Sequence, residues 1–306
     1  MSYLPGDARP SSAAFAAGGL PLVSIVVPTR NSEMYLSACL RSVREQDYSN
    51  IELLVVDRDS TDSTLQIARA FDTTILSAGP ERSAQVNAGV RSSRGQFILR
   101  VDADFALEPA VVSECVSLAA AGADAVVVHN TSVEVGWLSR IRKFEVDMYK
   151  YSLDHSAARF VSKEVFDAIG GYAEDMTAGE DYDFQNRIIR SNFRTAFCDA
   201  EAIHLDEPIR LSTVLRKYFC YGRDFPHYRR QNVERSRTQL AFLRKDYIRH
   251  WRRFVRHPLL ALGLLVYHCL KYLSGGLGYL SAVVRPPGPT GAVAASSDDS
   301  GCQGDT

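Results

Sequence analysis

Residues 95–105, GQFILRVDADF, decide how this chain is read. The run 97–101 is apolar enough for a strand buried on both faces. It leads directly into Asp102 and Asp104, separated by the small Ala103. Strand side chains alternate between faces, so the two carboxylates point the same way. Like charges at the end of an apolar strand repel each other and lose hydration. A divalent cation relieves both costs, because hard cations take oxygen ligands and share them with substrate phosphates. Taken alone, the pair also reads as a solvated turn. The flanking sequence has to choose.

Upstream, PLVSIVVP at 21–28 is a short β-branched run that ends in the turn Pro28-Thr29-Arg30-Asn31. Helical spacing follows over 33–45, with Leu36, Leu40 and Val43 on one side. A second apolar strand, 51–56, ends at Asp57-Arg58-Asp59, and Ser60 and Thr61 are placed to cap a helix over 62–71. A third strand, 73–76, and a helix, 81–91, complete the approach to the strand at 96–101. Strands alternating with helices predict a parallel sheet with right-handed crossovers, and such sheets bind ligands at their carboxyl ends. Thr29, Asp57 and Asp102 all fall at such ends.

Downstream, the pattern predicts a helix over 108–121, a strand at 125–129, an amphipathic helix over 136–151, and a strand and helix over 159–169 stopped by Gly170-Gly171. Glu180 and Asp181 open a helix that continues over 182–190. Acids there are also ordinary N-terminal chemistry, stabilised by about 0.3–1 kcal/mol. A last strand, 195–198, precedes His204.

The chain has 306 residues, 46% hydrophobic and 23% charged, which is an ordinary globular composition. Its net charge of −1 conceals an asymmetry. Between 210 and 256 there are fourteen Lys/Arg against three acids, +11, leaving −12 for the rest. A basic segment on an acidic body points to an anionic partner such as a lipid headgroup surface. Six irregularly spaced cysteines argue against a disulfide framework or zinc site and fit a reducing compartment. The first residues lack the basic-then-apolar pattern of a secretory signal.

The sequence divides into a flexible lead-in (1–20), a catalytic domain (21–209), a basic helical segment (210–256), a hydrophobic membrane-associated segment (257–284) and a disordered tail (285–306). Within the basic segment, helices are expected over 211–221 and 237–256. The apolar run 258–284 is long enough to span a bilayer, although His268, Lys271 and Gly275-Gly276 interrupt it. A spanning helix, an interfacial or re-entrant pair and a soluble core helix all stay open. A crossing would leave the basic flank cytoplasmic. Nucleic acid is not expected as a partner, because the basic, aromatic stretch leads straight into apolar sequence.

VSIVVPTRN, IELLVVDRDSTDST, ERSAQVNAGVRSSRGQFILRVDADF and GGYAEDMTAGEDYDF, in that order and spacing, resemble the family 2 glycosyltransferases over about 22–204. The resemblance implies the GT-A nucleotide-diphospho-sugar transferase fold. That is an α/β fold with a mainly parallel sheet flanked by helices, here followed by a C-terminal helical membrane-associating region. It implies an inverting transfer from a nucleotide-diphosphate sugar, expected to be a UDP-sugar, to a hydroxyl of a lipid-linked or glycan acceptor. Mg²⁺ or Mn²⁺ is the implied cofactor.

By position, Pro28, Thr29 and Asn31 lie in the first nucleotide loop, Asp57 faces the base with Asp59 as a weaker candidate, and Arg82 lies near base or phosphate. The resemblance implies that Asp102 faces ribose or metal, that Asp104 is the principal metal ligand and that His204 completes the metal sphere. Asp181 is the expected general base, and Asn87 is structural. The Gln-x-x-Arg-Trp motif of processive synthases is absent, which favours addition of one or a few sugars. RKYFCYGRDF resembles a segment that follows the catalytic domain in some membrane-associated members, and Arg216, Lys217 and Arg223 within it are expected to meet the diphosphate of the donor or of a lipid-linked acceptor. A non-catalytic module binding sugar nucleotides and a nucleotidyltransferase of related fold are the alternatives. A dinucleotide oxidoreductase is disfavoured, since no GxGxxG follows the first strand. The expected location is the cytoplasmic side of the cell membrane, on its surface or held by one crossing.

Overall fold

A computed structural model describes residues 19–176, 179–205, 209–239 and 241–284. The expected lead-in and tail fall almost wholly outside them. The chain separates into two compact units. One comprises the chain up to Val133, Tyr149–Met176 and the stretch from Glu180 through the last strand; the other comprises Glu134–Met148 and the C-terminal helices.

The first unit is built on an eight-stranded mixed sheet of order β3-β2-β1-β4-β7-β6-β8-β5. β1 (Val23–Thr29) is buried at every position, as its unbroken apolar run requires. It pairs in parallel with β2 (Ile51–Asp57) and β4 (Phe97–Arg100), and β2 pairs in parallel with β3 (Thr74–Ser77). These four strands meet the parallel expectation. Beyond β4 the directions change. β7 (Phe160–Ser162) runs antiparallel to β4 and to β6 (Ala125–Ser132), and β8 (Thr195–His204) is parallel to β6.

One strand, β5 (Phe105–Leu107), has no counterpart in the sequence reading. It pairs antiparallel with β8 in the register Phe105↔His204. Three residues are too few to show a period of two. Their strand character comes only from the partner.

Helices α1 (Leu36–Arg44), α2 (Thr64–Arg69), α3 (Arg82–Ser92), α4 (Val111–Ala120), α6 (Lys163–Ala168) and α7 (Glu180–Arg190) flank the sheet. α1 buries Leu36, Cys39, Leu40 and Val43 in the cluster formed by Val23, Ile25 and Val27. α3 buries Val86 and Val90 in a second cluster with Val26, Leu54 and Ile98. Each such side chain contributes about 1.5–3 kcal/mol. α2 starts later than its expected cap, because the Ser60 hydroxyl is engaged by Asp57 instead.

The second unit contains α5 (Gly136–Val146), α8 (Leu211–Gln231), α9 (Val233–Gln239), α10 (Lys245–Arg249), α11 (Trp251–Arg256) and α12 (Pro258–Val284). The single helix expected over 237–256 is broken into short pieces. Arg249 and Arg253, a like-charge i,i+4 pair across the break between the last two pieces, disfavour a continuous helix there. α12 is one unbroken helix, and among the described residues it alone is long and apolar enough to cross a membrane.

Candidate active site

The first four strands place the site. From β1 the chain passes outward to β2 and β3, then returns to add β4 on the opposite side of β1. Strand order therefore reverses at β1, and the crevice beyond the carboxyl ends there is where open α/β sheets bind ligands.

On one side of the crevice, the register Thr29↔Asp57 brings two polar strand ends together. The Thr29 hydroxyl donates to Asp57 Oδ1 at 2.9 Å, and the Ser60 amide and hydroxyl donate to the same carboxylate at 2.9 and 2.5 Å. Asp57 is buried, yet all its recorded partners are neutral. Asn31, in the left-handed region with φ 47°, accepts from the Thr61 amide at 2.9 Å and donates its own amide to Ser60 Oγ at 2.8 Å. The loops after β1 and β2 are thus tied to each other. Asp57, Asp59, Ser60, Leu65, Arg69 and Leu76 line a cleft of about 480 Å³. Pro28 lies within β1 itself.

α3 links this side to the other. Gln85 donates to the carbonyls of Thr29 and Val56 at 2.8 and 2.7 Å, closing the ends of β1 and β2. Three residues earlier, on the same helix face, Arg82 pairs with Glu180 and lies 3.9 Å from Asp102. Asn87 exchanges hydrogen bonds with the Tyr172 backbone and donates to Glu174, a structural attachment of the loop before α7.

The second side is a cluster of guanidiniums and carboxylates. Arg100, 2% exposed at the end of β4, donates to Asp102 Oδ1 through Nε at 3.2 Å and Nη2 at 3.0 Å, and its Nη1 pairs with Asp181. It also lies over the ring of Tyr172, 5.1 Å from the centroid. Arg159, brought opposite by β7, donates to Asp102 Oδ2 at 2.9 Å. Burial pushes the Asp102 carboxyl up, but Arg100, Arg159 and Arg82 together hold it well below the usual carboxylate range. Asp181, at the start of α7, follows the same balance. Burial raises it, Arg100 foremost lowers it with help from Arg82 and Arg159, and the net value is below normal.

Neither Arg100 nor Arg159 was singled out from sequence. The signal was present in Arg100. An arginine inside a run otherwise read as a buried strand must be paired, because charged residues are almost never fully buried alone.

Asp104 stands apart from the arginines. Its Oδ2 is 3.1 Å from His204 Nε2. The Phe105↔His204 register causes this approach, since it brings β8 alongside the residue after Asp104; Leu205 N also donates to the Asp104 carbonyl at 2.8 Å. The Phe105 ring meets the His204 imidazole edge-on at 4.5 Å. Of the three expected metal ligands, the structure gathers Asp104 and His204 and commits both Asp102 oxygens to arginine. Among the described residues no three His, Cys, Asp or Glu side chains are grouped to hold a metal. The Asp104 carboxylate nevertheless suits Mg²⁺ or Mn²⁺, which commonly complete their spheres with waters and substrate phosphates, and the His204 imidazole beside it favours the less hard Mn²⁺ of the two.

Residues 24–173 match the family described as glycosyl transferase family 2. Over 303 residues the chain is 25% identical to the succinoglycan biosynthesis protein ExoA of Rhizobium meliloti, covering 89% of each. A mannosyltransferase from Pyrobaculum calidifontis, crystallised with GDP-Man and Mn²⁺, superposes with a TM-score of 0.55 at 16% identity, over 93% of this chain and 80% of that one. TarS residues 1–349 from S. aureus give 0.52 at 18% identity, over 82% and 80%. These two likenesses show the GT-A fold. The sequence match lies on the strands and loops that carry Thr29, Asp57, Asp102 and Asp104, and residues 24–173 are a glycosyltransferase family 2 domain.

Proposed function

We propose that this glycosyltransferase moves a sugar from a UDP-sugar to a hydroxyl of a lipid-linked or glycan acceptor, with a divalent metal and with inversion at the anomeric carbon. The observation that carries the reading is the convergence of Asp181 with Asp102 on Arg100, which joins the start of α7 to the end of β4. Support for the donor class comes from TarS, crystallised with UDP-GlcNAc, and from the mannosyltransferase bound to GDP-Man. The name of ExoA supports a polysaccharide-building role.

In this reading Asp57, fixed by Thr29 and Ser60, presents a carboxylate that accepts from the donor's base at the cleft mouth, with Asn31 holding the loop and Pro28 in the strand that leads into it. Asp102 turns toward the ribose side, and Arg82 adds positive charge near the phosphates. Asp104 and His204 would hold Mg²⁺ or Mn²⁺, whose bound charge offsets that of the departing diphosphate. Asp181 takes the proton of the acceptor hydroxyl. The new C–O bond forms opposite the breaking bond, and the nucleoside diphosphate leaves with the bonding pair. Arg100 keeps Asp181 ionised and oriented for that transfer. The basic helices and apolar α12 support a position at the cytoplasmic face of a membrane, whose anionic lipids attract basic segments and where a lipid-linked acceptor is presented.

The test is a panel of nucleotide sugars with Mg²⁺ or Mn²⁺. Metal-dependent transfer or donor hydrolysis is expected with at least one UDP-sugar, and none with any donor overturns the proposal. Asp181→Asn should keep donor affinity and lose about 10²–10⁴-fold in kcat. Full turnover in that variant removes Asp181 from the base role.

A further inference from the structure

The polar residues that interrupt α12 all turn to one side. Leu264, Tyr267, His268, Lys271 and Gly278 are buried, at steps of three, one, three and seven residues. Lys271 Nζ lies 3.0 Å from Glu145 Oε2 on α5, and His268 Nε2 lies 2.9 Å from Glu145 Oε1. Arg244 and the Tyr247 hydroxyl reach the same carboxylate at 3.3 and 3.4 Å. Lys271 is further enclosed by the rings of Tyr267 and Tyr218, 4.4 and 5.0 Å away. α8 closes on this face as well. A Cβ on Gly222 would sit 1.9 Å from the Gly275 carbonyl oxygen, a Cβ on Gly278 would sit equally close to the Phe219 carbonyl, and the Ser274 hydroxyl donates to the Leu215 carbonyl at 2.6 Å.

The opposite face of α12 is different. Leu259, Leu262, Val266, Cys269, Leu273, Leu277, Leu280 and Val284 follow steps of three and four residues and are all exposed. They form one stripe over the whole helix, about 39 Å at 1.5 Å per residue, with no charge in it. α10 and α11 continue the alternation of apolar and basic groups. Ile248, Trp251 and Val255 are exposed, and Lys245, Arg249, Arg252 and Arg256 are exposed beside them.

We infer that α12 lies in the plane of an anionic membrane surface, its exposed stripe in the headgroup–acyl boundary and the arginines of α10 and α11 on the lipid phosphates, rather than crossing the bilayer. This rests on the proposed membrane association and fixes its geometry. A crossing would carry Glu145, Lys271 and Arg244, gathered at the middle of α12, to the depth where hydrocarbon opposes charge most. It would also take Arg216 and Lys217 of α8, neighbours of the Leu215 that bonds Ser274, into the same layer. Lying flat, the helix buries only its charge-free side, the arrangement that suits a one-sided apolar helix with basic flanks.

The test uses the full chain and vesicles of phosphatidylcholine with or without phosphatidylglycerol. Binding is expected only with the anionic lipid, and Arg249→Ala with Arg252→Ala should weaken it on the order of tenfold or more. In a Trp137→Phe, Trp251→Phe background, single tryptophans are placed by Leu262→Trp, Cys269→Trp and Leu280→Trp and quenched by lipids brominated at different depths. Equal, shallow quenching at all three sites is the expected result. Deepest quenching at position 269 overturns the in-plane geometry while leaving membrane association standing. Absence of binding to either vesicle overturns both, and self-association through the stripe in its place would identify a second copy as the occupant.

Discussion

Both units bury charge, and they do so in opposite ways. Around Glu145 one carboxylate is met by His268, Lys271, Arg244 and Tyr247, all inside the helical unit. Around Arg100, carboxylates and guanidiniums alternate, and Asp181 remains one-third exposed at the edge of the cluster. The first cluster lies within its own unit and serves the packing of its helices. The second keeps one member at the crevice, where it can meet a substrate. Burial and pairing alone therefore do not mark a site; a paired group that still faces the crevice does.

That contrast can be broken at either end. Glu145→Ala removes the carboxylate paired with the buried Lys271, and loss of one partner from a buried pair costs about 3–5 kcal/mol. Chemical unfolding followed by helical signal should show that loss, while donor binding by the α/β unit persists. Equal loss of donor binding would mean that the two clusters are not separate in role.

Arg100→Lys keeps the charge but cannot fork to both carboxylates. The native Asp181 value lies below normal, so the acid limb of the rate profile should lie below the ordinary aspartate range. The variant should move that limb up toward the ordinary aspartate range, with donor affinity nearly unchanged. An unmoved limb would reduce Arg100 to a structural role.

Asp102, Asp181 and Glu145 all have lowered folded values. Their stabilisation is complete above the unfolded values near about pH 4 and disappears as pH falls through the folded ones. Unfolding monitored between about pH 5 and 2 should therefore show stability declining only toward the acid end of that window.

The smallest effect is expected at Asp57. Its partners are neutral hydroxyls and an amide, so Asp57→Asn should weaken donor binding by about 5–30-fold and leave folding nearly intact. Calorimetric titration with UDP and with GDP would measure it, and unchanged affinity for both would remove Asp57 from base recognition.

Sequence by itself determined the elements whose signal is local. The apolar runs of β1, β2 and β4 and the positions of Asp57, Asp102, Asp104 and Asp181 at strand or helix ends were all legible, because periodicity and end position are written in consecutive residues. The extent of the apolar run 258–284 was legible for the same reason, but not that it forms one unbroken helix.

Tertiary structure alone decided the pairings. β5 exists through its register with β8, and that register sets His204 beside Asp104. β7 turns antiparallel and brings Arg159 onto Asp102. Lys271 and His268, which interrupt an apolar run on paper, are absorbed by Glu145 more than a hundred residues earlier in the chain. A charge in an apolar segment shows only that a partner is needed. The partner's identity depends on which distant segments the fold packs together, and that is set by the burial of all of them at once.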